Sequence, residues 1–267
     1  MGRAPPRPQD IPGVKHIVAV ASGKGGVGKS TSAVNLAVAL AAAPLSLRVG
    51  LLDADVHGPS IPTMMKLSGQ PELDDDGNMI PQENYRVRCM SMGFLMKPGQ
   101  AAAWRGLMVT SALEKMMFGT KWGGLDVLVV DMPPGTGDAQ ISVSQRLKLS
   151  GAVIVSTPQE IALIDARRGV DLFHQARVKV LGLIENMSFF ECGNCGSQAH
   201  VFGHGGARAA AEEMGVPFLG EVPLRVAVRE AMDAGKPVAL DTGSAAGSEF
   251  ASIAQRTWGI LQAIHRG

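Results

Sequence analysis

Gly23-Lys24-Gly25-Gly26-Val27-Gly28-Lys29-Ser30 fits the phosphate-binding pattern G-x-x-x-x-G-K-[ST] at every position. Glycines let the backbone wrap an anion closely, so that several N–H groups converge on the α- and β-phosphates of a nucleotide. Lys29 then meets the β- and γ-phosphates, and the Ser30 hydroxyl is placed to ligate Mg²⁺. Eight residues can match by chance, so the flanks decide. Ile17-Val18-Ala19-Val20-Ala21 reads as a buried parallel strand, and an alanine-rich helix starts at Thr31 and runs over 31–43 to Pro44. A helix that opens on the loop adds its own dipole to the anion site. The alternative, a glycine turn with an accidental lysine, explains none of this context.

Carboxylates complete such a site. Asp53, Asp55 and Asp131 all follow apolar strand-like runs, and ligands of a parallel sheet gather beyond the carboxyl ends of its strands. Val127-Leu128-Val129-Val130-Asp131 delivers a carboxylate near Mg²⁺ in the Walker B manner. Gly135, in Pro133-Pro134-Gly135-Thr136-Gly137-Asp138, is placed to offer its N–H to the γ-phosphate. Asp55 is the residue expected to position the attacking water. For each aspartate the competing role is a turn or helix cap. His57 reads as a loop residue, because phosphoryl transfer of this kind relies on positioning and charge rather than on a strong base. Lys24 cannot readily share its own chain's phosphate nest with Lys29, which directs it toward a neighbouring subunit; the competing role is a solvated loop lysine.

The elements that must hold these residues alternate along the chain. Strands fit 48–52, 125–130, 152–155, 180–184 and a short 218–220; helices fit 105–118, 161–175, 207–214 and 249–264. Alternation of this kind predicts an α/β fold, a mostly parallel sheet with helices on both faces. Residues 69–99 read as an irregular insert carrying a hairpin. The first twelve residues, rich in proline and arginine, read as a flexible segment before a single domain over 13–267. The domain is long enough, at 46% hydrophobic residues, to bury a full core. A net charge of +1 gives no general pull toward nucleic acid or membrane, and no apolar run is long enough to span a bilayer. Fourteen methionines, eight of them at 64, 65, 90, 92, 96, 108, 116 and 117, suit either core filling or a pliable groove for client proteins.

Cys192-Gly193-Asn194-Cys195 is the second constellation that can do chemistry. Three readings compete. A redox dithiol needs a thioredoxin-like fold, which the alternation does not supply. A zinc knuckle recruits His200 and His204, but over a gap far below the ~12 residues usual for fingers. An iron–sulfur cluster shared across a dimer takes two thiolates from each subunit and needs no other ligand. Cys89 is solitary and reads as a buried small apolar residue, and three cysteines in all suit a reducing compartment.

The loop, in the form G-K-G-G-V-G-K-S-T, resembles the deviant Walker A loop of dimeric ATPases that include Mrp/ApbC-type iron–sulfur carriers, the MinD and ParA positioning ATPases and the nitrogenase iron protein. In that group the extra lysine reaches the partner subunit's nucleotide and an asparagine reads the adenine edge, which implies those roles for Lys24 and Asn186. With Asp53-Ala54-Asp55-Val56-His57-Gly58-Pro59-Ser60, Trp104-Arg105-Gly106-Leu107-Met108 and Asn186-Met187-Ser188 leading to the cysteine pair, the likeness narrows to the Mrp/ApbC (Nbp-type) cluster carriers. Met90-Ser91-Met92-Gly93-Phe94 looks closest to the mitochondrial NUBPL-type branch, which supports complex I assembly. The resemblance implies a SIMIBI-type P-loop NTPase fold in three layers and an ATPase using ATP and Mg²⁺. It also implies a homodimer holding a [4Fe–4S] cluster for apo-proteins, complex I subunits among them. The implied compartment is the mitochondrial matrix for a eukaryotic chain and the cytoplasm otherwise. A MinD/ParA-like positioning ATPase is the competing class, but its last helix should be basic and amphipathic, and residues 249–265 carry few cations.

Overall fold

A strand buried at every position must be covered on both faces, because successive side chains point to opposite sides of a sheet. That condition holds here at the centre of the molecule. The computed structural model describes residues 8–55, 58–95 and 106–266. Expectations for residues 1–7, His57, Met96, Trp104 and Arg105 lie outside the described residues.

β1 (Val14–Ala21) leads into α1 (Lys29–Ala41), β2 (Val49–Asp53), α2 (Ile61–Met64), β3 (Gln82–Asn84), β4 (Val87–Ser91), α3 (Met92–Leu95) and α4 (Gly106–Phe118). Then come β5 (Leu125–Asp131), α5 (Asp138–Arg146), β6 (Gly151–Ser156), α6 (Glu160–Gln175), β7 (Val180–Glu191) and β8 (Gln198–Ala199). α7 (Gly206–Glu213), β9 (Phe218–Leu224), α8 (Val226–Asp233), a tight turn at Val238–Leu240 and α9 (Ala245–Arg266) follow. The nine-stranded sheet runs β3-β4-β2-β5-β1-β6-β7-β8, with β9 also on β7. Only β3 and β8 are antiparallel to their neighbours. β2 and β6 are buried at every residue. α1 packs on strands β2 and β5 and against α9, which itself lies on β7 and β9; α6 packs with α7 on β6 and β7. The chain fills one side of β1 and then crosses to the other, so the order switches at β1, where a crevice opens for ligands.

Several expectations need correction. The 69–99 insert does contain a hairpin, turned by Tyr85 and Arg86 at φ 53° and 63°. Its second arm, β4, is however a parallel partner of β2 and carries the buried Cys89 into the core. β7 continues well past residue 184, so Asn186 does not end a strand; its polar Glu185, Asn186 and Ser188 are buried and disguise it in sequence. α5 and α8, nine and eight residues long, are too short for a clear helical repeat and went unread. Residues 9–11, expected within the flexible segment, are tied to the domain. Gln9 donates its N–H to the Arg146 carbonyl at 2.8 Å and accepts from Lys148 N–H at 3.0 Å, and Ile11 is buried. Methionine proves to be core filler. Met64, Met65, Met90, Met92, Met116 and Met117 are buried, as core filling requires, and Met108 alone of those described is exposed.

The last helix docks on the core. Phe250, Ile253 and Leu261 face inward and are buried. Each such side chain contributes about 1.5–3 kcal/mol of burial. No helix among the described residues is long and apolar enough to cross a membrane.

Candidate functional site

β1 ends at Ala21 and α1 begins at Lys29, so the phosphate loop is the connection at the switch point of the sheet. Two glycines are required by contact. A Cβ on Gly23 would collide with the backbone of Asp165 on α6, and Gly28, at φ 82°, lies against the Asn186 amide. Gly25 and Gly26 face open space, which leaves their amides accessible to an anion. Val27 is buried and pins the loop to the core.

Lys29 is buried, its side chain 6% exposed, and Nζ lies 2.5 Å from Asp131 Oδ1, 3.2 Å from Ser30 Oγ and 3.7 Å from Asp55 Oδ2. The structure therefore brings together the loop lysine, the loop hydroxyl and both carboxylates that the sequence proposed. Asp131 is fully buried, and its other oxygen, Oδ2, has no hydrogen-bond partner among the described residues. Burial raises the Asp131 pKa, and the Lys29 ammonium pulls against that rise. An orphaned hard oxygen beside a serine hydroxyl is the donor set that suits Mg²⁺, so Ser30 and Asp131 fit the ion. Asp53 sits on the neighbouring strand tip, paired in register with Asp131. Burial, and next the nearby Asp131 charge, push its pKa up to about 7, while a 2.8 Å bond from the Ser91 hydroxyl opposes the rise. Its Oδ1 accepts the Asp55 N–H at 3.2 Å. Asp53 thus supports Asp55, a role that sequence reading, which noted Asp53 only as a strand end, did not assign.

Two expected nucleotide contacts are placed differently. The Gly135 N–H, expected to meet the γ-phosphate, donates to the Ser22 carbonyl at 3.1 Å; contact with a phosphate requires that bond to be exchanged. Asn186, expected at the adenine edge, donates from Nδ2 to the Val27 carbonyl at 2.8 Å and so clamps the phosphate loop to β7. Beside them Gly28, Thr31, Asn186, Met187, Pro223 and Val228 help to line a cleft of about 540 Å³, a size that accepts an adenosine. Lys24 is half-buried, and its carbonyl accepts from the Ser22 hydroxyl at 2.9 Å. Its ammonium has no ion pair among the described residues.

The cysteine pair sits on the turn between β7 and β8. Cys192 N–H donates to the Ser197 carbonyl at 3.0 Å and Gly196 N–H to the Cys192 carbonyl at 2.9 Å, which closes the knuckle. Cys195 is exposed and Cys192 half-buried. The Ser197 hydroxyl, 3.1 Å from Cys195 Sγ, then the Ser197 amide and the Cys192 thiol, hold the Cys195 thiol below its ordinary pKa. Thiolate character on an exposed sulfur is what a metal ligand needs. By contrast, burial pushes the Cys89 thiol up, as suits an inert core residue. His200 and His204 meet edge to face with ring centroids 4.3 Å apart, and Phe189 meets His200 in the same way at 5.8 Å. Among the described residues no three or more His, Cys, Asp or Glu side chains gather as a metal site, so the knuckle does not assemble the four ligands of a zinc finger.

A phosphate loop behind the central strand of a parallel sheet, with carboxylates on the two adjacent strand tips, defines the molecule as a P-loop NTPase. A family model described as the NUBPL iron-transfer P-loop NTPase matches residues 13–258, and the chain belongs to that family. The chain is 57% identical over 244 residues to an Arabidopsis thaliana iron–sulfur protein required for NADH dehydrogenase, mitochondrial, covering 91% of this chain and 78% of that one. It is 57% identical over 238 residues to the Mus musculus iron–sulfur cluster transfer protein NUBPL, covering 89% and 75% of the two chains. Among solved structures, a nucleotide-binding protein from Archaeoglobus fulgidus in complex with ADP superposes with a TM-score of 0.76 at 36% identity, covering 89% of this chain and 92% of that one.

Proposed function

We propose that the chain is an ATP-hydrolysing carrier that holds a [4Fe–4S] cluster between two copies of itself and passes it to apo-proteins, respiratory complex I subunits among them. The observation that carries this reading is the exposed Cys192–Cys195 knuckle on a strand that is itself clamped to the phosphate loop. Two thiolates are half of the usual complement of such a cluster, so a second chain must supply the rest. The names of the plant and mouse relatives support iron–sulfur transfer, and the plant relative's name supports complex I and, for a eukaryotic chain, the mitochondrion.

In the ATPase step water attacks the γ-phosphorus, the bond to the bridging oxygen breaks, and ADP and phosphate leave. Lys29 leaves its carboxylate partners to neutralise the β- and γ-phosphates; Ser30 and Asp131 would hold Mg²⁺, which would supply charge stabilisation to the transferring phosphoryl group. Asp55, buttressed through its N–H by Asp53, orients the water. Lys24, without an ion pair among the described residues, reaches the nucleotide of the other copy. Asn186 and the adjoining cleft receive the adenosine.

Anaerobic reconstitution tests the reading. About four irons per dimer are expected, with broad absorbance in the blue, as follows from four thiolate ligands. Cys192→Ser or Cys195→Ser should lose the iron and the cluster-linked dimer but keep ATP binding; His200→Ala and His204→Ala should keep the iron. One zinc per monomer, lost when those histidines are changed, would replace the carrier with a structural zinc knuckle.

A further inference from the structure

β7 carries two anchors from different parts of the molecule. At Asn186 it is fastened to the phosphate loop, and at Glu191 it ends one residue before Cys192. Between them the ladder is interrupted. Asn186 pairs with Val222 and Phe190 with Leu224, so four steps along β7 answer two along β9. Met187, inside this bulge, takes a left-handed φ of 56°. A non-glycine residue at positive φ in a strand is held there by its surroundings rather than by its own preference. A side chain spans the gap. Arg225 directly follows β9, and its guanidinium donates to Glu191 Oε2 at 3.1 Å and to the two Glu249 oxygens at 2.9 and 3.1 Å. The same residue lines the adenosine cleft with Gly28, Asn186 and Met187, and its buried Nε has no hydrogen-bond partner among the described residues.

We propose that Arg225 is a positioning residue that couples the nucleotide cleft to the cysteine pair, its hold on Glu191 shifting when the cleft is filled and re-aiming Cys192 and Cys195. A guanidinium is a rigid plane with five donors, so an acceptor that engages Nε must reorient the bonds to Glu191 as well. The proposal rests on the carrier reading for the purpose of the pair, while the coupling itself belongs to the chain without a cluster.

Thiol alkylation tests it. Cluster-free protein is treated with iodoacetamide without nucleotide, with saturating Mg–ADP, and with a saturating non-hydrolysable ATP analogue. Adducts at Cys192 and Cys195 are quantified separately by mass spectrometry, with the buried Cys89 as internal control. Nucleotide should change the rate at the pair about fivefold or more, the lower end of ordinary coupling between sites. Glu191→Gln, which keeps the shape and weakens the charge-assisted bond, should cut that to under about twofold without moving nucleotide affinity. Arg225→Lys should keep part of the effect and Arg225→Gln none. A purely structural arginine would alter alkylation equally with and without nucleotide. Unchanged nucleotide dependence in both Glu191→Gln and Arg225→Gln overturns the proposal, as does a wild-type pair that reacts alike in all three conditions. Failure of the carrier reading looks different, because nucleotide-dependent alkylation would then persist while reconstitution leaves no iron on the pair.

Discussion

Lys29 is the residue on which the site's charges converge. Its ammonium neutralises two buried or nearly buried carboxylates, so its removal acts on stability as well as on chemistry. Lys29→Ala should lower ATP turnover by at least about 100-fold, the scale of losing one preorganised donor to transition-state charge. It should also lower unfolding free energy by about 3 kcal/mol, because Asp131 keeps its burial and loses its partner. Steady-state hydrolysis and urea denaturation check both halves. Asp55 should behave differently, since it touches the cluster of charges only at its edge, 3.7 Å from Lys29. Asp55→Asn should keep nucleotide affinity within about threefold and slow single-turnover hydrolysis by about 100-fold, the usual effect of misplacing a reacting group. Weakened affinity at an unchanged rate would remove the water-positioning role.

At the scale of elements, α9 is held on β1 by a contact that responds to pH. His16 on β1 lies 4.9 Å from His265 and 5.8 Å from Trp258, ring to ring, and His265 Nε2 lies 3.2 Å from the Ser150 carbonyl. Burial, then His265 and Lys15, lower the His16 pKa below 6.5, and Asp126 only partly opposes them. A base with a depressed folded pKa takes up its proton more readily when unfolded. This contact therefore stabilises fully above pH 6.5 and weakens as pH falls through that value toward the folded pKa. The melting temperature should drop between pH 7.5 and 5.5, and His16→Asn should flatten that drop. An equal slope in the variant would place the pH response elsewhere. β7 is the other element with consequences, because one strand carries the phosphate-loop clamp at Asn186, the Met187 bulge and the approach to the cysteine knuckle.

For the whole molecule the question is what completes the site. Among the described residues Lys24 has no ion pair, a Cβ on Gly25 or Gly26 would meet nothing, and the turn after β7 carries two thiols. On the function proposed above, one second copy accounts for all three. Lys24→Ala should bind ATP as a monomer yet close poorly into a nucleotide-linked dimer. Hydrolysis should fall by on the order of 10³-fold, as for other charges supplied in trans. Light scattering with and without ATP, alongside turnover, decides it. Unaltered dimerisation and hydrolysis would return Lys24 to the role of a solvated loop residue.

The sequence by itself determined the parts whose chemistry is local. The phosphate loop, the strand tips at Asp53 and Asp131, the parallel alternation and the cysteine pair each depend on residues adjacent in the chain, where glycine spacing, apolar runs and thiol spacing are read directly. Tertiary structure decided whatever depends on residues far apart. β4 and the outer half of β7 escaped notice because polar residues are buried there against partners from other elements. Tertiary contact also turned Asn186 toward Val27, engaged Gly135 with Ser22, set Asp53 behind Asp55, and joined Arg225 to Glu191 across the bulge. A buried polar side chain is satisfied by whichever partner the fold brings within hydrogen-bond reach, and that partner has no fixed offset in sequence.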